Sequence, residues 1–126
     1  MAYIESPNNP LVKQLKSLAE AKGRRSSGLF LVEGVRGVED GISSGSRPSL
    51  CVMNEELLAR TDRGSNLLAT LKRAGIANLH TVSERVLRAA SQTEQPQGIV
   101  AAFPVRSWEG HAPLAEAPLV LLCDAI

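Results

Sequence analysis

Leu29-Phe30-Leu31-Val32-Glu33-Gly34-Val35-Arg36 is the stretch on which the fold turns. Residues 29–32 are too short an apolar run for a helix and read as a buried strand. Gly34 breaks the run, and Val35, Val38 and Ile42 then return at helical spacing towards Gly45. A strand that passes through a carboxylate and a glycine into a helix is a building unit of α/β layer proteins. In open α/β sheets that junction is also where functional groups gather. Glu33 has two readings there. It is a catalytic base or a ligand for a ribose hydroxyl, or it is a carboxylate favouring the helix N-terminus while Gly34 allows the tight turn.

The same alternation extends in both directions. Upstream, Asn9 is placed to cap a helix and Pro10 suits its first position. Leu11, Leu15, Leu18 and Ala19 fall on one face of that helix, and Gly23 is its expected stop. Downstream, strands are expected at 48–53, 79–82 and 98–103. A helical turn is expected at 55–59. Helices are expected at 66–74, with Leu67, Leu68 and Leu71 inward, and from Ser83, with Val86, Leu87 and Ala90 inward. About four strands and four helices alternate within residues 1–104. That pattern predicts a three-layer α/β/α sandwich around a mainly parallel sheet of about four strands.

Composition narrows the functional classes. The chain has 126 residues, enough for one domain or for one domain and a piece of another. Lys and Arg number 14 against 13 Asp and Glu, so a protein that coats nucleic acid by bulk charge is excluded while a local basic patch is not. Aromatic residues are 3%, namely Tyr3, Phe30, Phe103 and Trp108, too few for a base-stacking platform. Cys51 and Cys123 make no disulfide framework. With His80 and His111 as the histidines, a zinc site lacks ligands. No apolar run reaches the roughly 20 residues of a membrane span, and the opening MAYIESPNNP has no signal-peptide architecture, so a cytoplasmic protein is expected. Cys51, Cys123 and His80 lie in apolar strands and read as core residues.

Three segments carry candidate chemistry. Lys22, Arg24 and Arg25 lie with Gly23, Ser26, Ser27 and Gly28 in an expected loop between helix and strand, suited to phosphates or else a solvated helix end. Lys13, Lys16 and Arg36 extend the basic character, leaving an excess of positive charge over residues 13–36. The second segment is the Glu33-Gly34 junction. The third is Ser91-Gln92-Thr93-Glu94-Gln95-Pro96-Gln97-Gly98, whose amides and hydroxyls suit base edges or a ribose 2′-hydroxyl, or simply a turn around Pro96 and Gly98. No nucleophile elbow, phosphate loop or dinucleotide fingerprint occurs, and no acid–base pair assembles.

The order of these segments is distinctive. Asn9-Pro10 with Val12-Lys13 is followed by Lys22-x-Arg24, then Gly28-x-Phe30-x-Val32-Glu33-Gly34-x-Arg36, then Gln95-Pro96-Gln97-Gly98-Ile99. This succession resembles the N-terminal substrate-binding domain of the SpoU/TrmH-type RNA 2′-O-ribose methyltransferases of the SPOUT superfamily, in register over residues 4–104.

The resemblance implies a sandwich like that of the kink-turn-binding ribosomal proteins, holding structured RNA. Residues 1–104 would be the RNA-binding domain and 105–117 a linker. The apolar stretch PLVLLCDAI, 118–126, would be the first strand of a truncated SPOUT methyltransferase domain. In the family that domain binds S-adenosylmethionine, carries the catalytic arginine and forms the homodimer. The resemblance therefore places no catalytic residue, cofactor or metal on this chain, and leaves it inactive alone and monomeric. It implies RNA contacts from Asn9, Lys13, Lys22, Arg24, Arg25, Glu33, Arg36, Thr93, Gln95 and Gln97, with Glu33 alternatively holding Arg36 or the basic loop in place and touching no RNA. Ribosomal RNA, 23S in particular, is expected over transfer RNA. The alternative is a stand-alone kink-turn-type RNA-binding module with no catalytic partner.

Overall fold

The computed structural model describes residues 2–94 and 96–105. Its elements are β1 (Ala2–Ile4), α1 (Pro10–Ser17), α2 (Ala21–Ser27), β2 (Leu29–Glu33), α3 (Val35–Ser43), β3 (Leu50–Met53), α4 (Glu55–Leu58), α5 (Asp62–Arg73), β4 (Leu79–Val82), α6 (Glu84–Ala90) and β5 (Ile99–Pro104). The strands form one sheet in the order β1-β4-β3-β5-β2. β4 pairs in parallel with β1 and β3, whereas β5 runs antiparallel to both β3 and β2. The sheet is therefore mixed and five-stranded, not mainly parallel with about four strands. The expected helical layers on both faces are present.

The reversal of β5 has a local cause. α6 has 7 residues and so advances the chain only about 10 Å. It ends with Ser91 beside Glu33, at the carboxyl end of β2. The chain thus never returns to the amino end of the sheet, and it enters β5 from the carboxyl end of its neighbours. Strand β1 escapes the periodicity because it has 3 residues, of which Ile4 reaches the core.

Two apolar clusters sandwich the sheet. On one face α1 and α6 bury Val12, Leu15, Leu18, Val86 and Leu87 against Leu50, Val52, Val82 and Val100. On the other, α3, α4 and α5 bury Val38, Leu58, Leu67 and Leu71 against Cys51, Met53, Ile99 and Phe103. Every residue of β3, and β5 from Ile99 to Phe103, is buried. Such a run reads as continuous apolar sequence because helices cover both faces. Among the described residues, no helix is long and apolar enough to cross a membrane.

α2 is a second correction. Residues 22–27 form a helix where a loop was expected, because α1 ends early at Ser17 and the chain turns before restarting. α2 has no buried residue, so burial of an apolar face does not hold it. Contacts with the end of α1 do. The Arg24 guanidinium donates through Nη1 to the carbonyls of Leu18 at 3.0 Å and Ala19 at 3.2 Å, satisfying acceptors at a helix terminus. Gly23 sits so close that a Cβ there would lie 2.0 Å from the Ser17 carbonyl oxygen. We therefore expect Gly23→Ala to unseat α2 without unfolding the domain. Amide hydrogen exchange should accelerate across residues 21–27 and stay unchanged in β3 and β5; uniform acceleration would show that α2 belongs to the global folding unit.

Candidate nucleic-acid interface

The carboxyl ends of β1, β2, β3 and β4 and the amino end of β5 share one end of the sheet. Backbone and side-chain bonds stitch this end together. The Gly34 N–H donates to the Ile99 carbonyl at 3.1 Å, and the Asn54 N–H to the Gly98 carbonyl at 2.9 Å. Asn54 also donates through Nδ2 to the Val82 carbonyl at 2.9 Å, while its Oδ1 accepts the Leu57 N–H at 3.0 Å and caps α4. Gly98 has φ +112°, and a Cβ there would lie 3.1 Å from the Leu58 nitrogen, so the entry to β5 demands glycine. Gly34 has φ +89°, and its missing Cβ leaves room for the Gln97 side chain.

Glu33 closes the other side of this junction. Its Oε1 accepts a hydrogen bond from the Ser91 hydroxyl and its Oε2 accepts the Gln92 N–H at 2.8 Å. The Ser91 hydroxyl oxygen in turn accepts the Thr93 N–H at 3.0 Å. Glu33 thus holds the segment after α6 and does not hold Arg36 or the basic segment. A small cavity of about 130 Å³ opens between Glu33, Gly34, Thr93 and Gln97.

A larger recess of about 610 Å³ shares Gln97 as a lining residue. Val35, Leu57 and Pro96 give it an apolar part; Arg36, Arg60 and Arg63 give it three guanidinium groups. Arg63 pairs with Glu39 at 3.0 Å. Among the described residues, the side chains of Arg36 and Arg60 have no ion-pair or hydrogen-bond partner. Arg36 and Arg63 both stand in the first turn of a helix, α3 and α5, where the macrodipole disfavours a cation. α3 has no side-chain cap at its N-terminus. Three cations at two positive helix ends make a recess that accepts anions.

The structure joins Glu33, Arg36, Thr93 and Gln97 into one region and leaves the other sequence candidates apart. Lys22, Arg24 and Arg25 lie on α2, which precedes β2, so they are at the opposite end of that strand, roughly 13 Å away along it. Arg24 is engaged as the α1 cap, while Lys22 and Arg25 are exposed. Asn9 follows β1, at the far edge of the sheet from β2, and its Oδ1 accepts the Leu11 N–H at 2.9 Å. Lys13 is exposed on α1. Gln95, His111, Cys123 and the expected linker and terminal strand lie outside the described residues, Val105 excepted. Sequence reading missed Arg60 and Arg63. Their signal was arginine on both sides of the helix start Thr61-Asp62, where acidic residues are the norm.

His80 and Cys51 lie within the sheet. His80 points both ring nitrogens into buried space with no hydrogen-bond partner, which suits packing and not proton transfer. Among the described residues, no three His, Cys, Asp or Glu come together as a metal site. Burial pushes the Cys51 thiol from its ordinary 9.0 up to about 12.

Among the described residues the fold is an α/β domain whose sheet end carries a recess lined by three arginines. The family model described as the MRM3-like substrate binding domain matches residues 9–101, and the chain belongs to that family. It is 32% identical over 123 residues to an uncharacterised tRNA/rRNA methyltransferase of Synechocystis, covering 96% of this chain and 43% of the relative. It is 30% identical over 129 residues to a 23S rRNA (guanosine(2553)-2′-O)-methyltransferase of Bacillus subtilis, covering 100% of this chain and 45% of the relative. The crystal structure of an RNA 2′-O ribose methyltransferase superposes with TM-score 0.68 at 30% identity, over 88% of this chain and 41% of that one. An AdoMet-bound rRNA methyltransferase from Sinorhizobium meliloti shares the fold, with TM-score 0.65 at 24% identity over 90% of this chain and 39% of that one. The chain thus spans less than half the length of these relatives. The SpoU/TrmH-type family read from the sequence motifs is the family these matches show.

Two expectations follow from the site. Glu33→Ala leaves the Ser91 and Gln92 donors without their acceptor and should cost about 1–3 kcal/mol, measured by urea denaturation. A loss near zero would mean the carboxylate does not hold the segment. Cys51 should resist alkylation in the native chain at pH 8, followed by mass spectrometry; rapid native labelling would contradict its burial. Because the unfolded thiol ionises from about pH 9 and the folded one only near 12, its contribution to stability is complete below pH 9 and is lost between 9 and 12.

Proposed function

We propose that this domain binds and positions the RNA substrate of an S-adenosylmethionine-dependent RNA 2′-O-ribose methyltransferase. The observation that carries this reading is the match of residues 9–101 to a substrate-binding domain family. The relative named for 2′-O methylation of 23S rRNA supports ribosomal over transfer RNA. Arg36 and Arg60, which have no partner among the described residues, and the exposed Lys22 and Arg25 supply cations for phosphates.

In this reading Arg24 holds α2 against α1 so that Lys22 and Arg25 are presented on a fixed helix. Asn9 fixes the start of α1, which carries Lys13. Glu33 fixes the segment that carries Thr93, Gln95 and Gln97. Methyl transfer belongs to the part of the enzyme beyond this domain, with 105–117 joining the two and 118–126 belonging to a SPOUT domain. That part binds S-adenosylmethionine and forms the homodimer, in the cytoplasm. The contribution of this domain is orientation, which holds one ribose hydroxyl where transfer is productive.

The test is fluorescence anisotropy of labelled 23S rRNA fragments and of transfer RNA across a salt series. Affinity should fall steeply with salt and favour the ribosomal fragments. Lys22→Ala with Arg25→Ala should flatten the log–log salt slope by about 1–2. Absent or salt-independent binding would overturn the reading. The 126-residue chain should transfer no methyl group from S-adenosylmethionine to these RNAs; methylation by it would relocate catalysis into this domain.

A further inference from the structure

The arginine recess is more than a patch of positive charge. Its volume of about 610 Å³ lies within the roughly 300–1,000 Å³ typical of small-ligand sites. A surface that only follows a phosphate backbone needs no depth and no apolar wall. Here Val35, Leu57 and Pro96 line the same hollow as Arg36 and Arg60. Gln97, whose amide carries both donors and an acceptor, lines both this hollow and the smaller one at Glu33.

We infer that this recess receives one unpaired nucleotide of the RNA, its phosphate on Arg36 and Arg60 and its base against the apolar wall with Gln97 at the base edge. The inference rests on the RNA-binding reading above and deepens it. An unpaired nucleotide combines the three things the hollow offers to meet: an anion, a flat apolar ring, and a hydrogen-bonding edge. A duplex keeps its ring faces stacked inside and brings phosphates, riboses and base edges, but no free ring, to a surface. An acidic peptide would use the cations and leave the apolar wall bare. Among the described residues no aromatic side chain lines the recess, so the base rests on the apolar wall of Val35, Leu57 and Pro96.

Three features hold this site in shape. Gly98 brings Gln97 to the sheet end by a conformation that other residues avoid. Gly34 leaves space in which the Gln97 side chain lies. Arg63, tied to Glu39, is the fixed member of the three cations, while Arg36 and Arg60 remain to be paired. Arginine in the first turn of α3 opposes the helix dipole, a placement that an incoming phosphate would relieve.

The test compares a short mixed-sequence single-stranded RNA with its blunt duplex, using the full chain and fluorescence anisotropy at constant salt. The expected result is a single-strand preference of roughly tenfold or more. Arg36→Ala with Arg60→Ala should remove that preference, weakening the single strand by about tenfold and the duplex far less. Both side chains are exposed and lack partners among the described residues, so thermal unfolding of the variant should match the parent. Gln97→Ala is the second variant, and it should alter the ranking among homopolymeric single strands. Equal affinity for both forms, or equal losses on both, overturns the nucleotide pocket and leaves RNA binding standing. No binding of either form removes the underlying reading as well. Displacement of the single strand by polyglutamate as readily as by RNA would assign the recess to an acidic protein segment instead.

Discussion

The last of the described strands, β5, sits inside the sheet, and everything else depends on that placement. β5 pairs with β3 on one side and β2 on the other, so β2 joins the sheet only through β5. Its residues from Ile99 to Phe103 are fully buried, and they supply contacts to both apolar clusters. Each large side chain buried this way stabilises the fold by about 1.5–3 kcal/mol relative to exposure. Burial of this kind also fixes register, since a one-residue slip would exchange the two faces. Phe103 then stacks on Phe30, ring centroids 6.3 Å apart, which secures the exposed edge strand.

The site is a by-product of the same placement. Because β5 enters from the carboxyl end of its neighbours, Gln97 and Gly98 arrive beside Gly34 and Asn54. The polar segment before β5 is thereby carried to the start of α3, and Glu33 fastens its other end through Ser91 and Gln92. α4 and α5 bring Arg60 and Arg63 to the same corner. Two helix N-termini with arginine in the first turn are electrostatically costly, on the order of 0.3–1 kcal/mol each. Glu39 offsets one of them. The other stands where an anionic substrate would offset it.

The layers were legible in the sequence because helical and strand periods differ, and 29–36 shows the change from one to the other within eight residues. Strand direction was not legible. Apolar periodicity is the same for a parallel and an antiparallel strand, and only the position of Ser91 beside Glu33 reveals that the chain had not returned. α2 was hidden for a different reason: Ala21–Ser27 has no apolar stripe, and its support comes from a glycine contact and one guanidinium. At the candidate site, Glu33, Arg36, Thr93 and Gln97 were all singled out, and the structure brings them together. Arg60 and Arg63 were not, because each looks like an ordinary surface cation until α3 and α5 are set side by side.

RNA binding is proposed at the corner where β5 enters the sheet. The most direct measurement is an NMR titration of the isotope-labelled chain with a 23S rRNA fragment, read as amide shift changes. The largest changes are expected at residues 33–37, 60–64 and 97–98, with a second set along α2. Changes confined to the outer faces of α1 and α6, around Lys13, Lys16, Arg85 and Arg88, would contradict it.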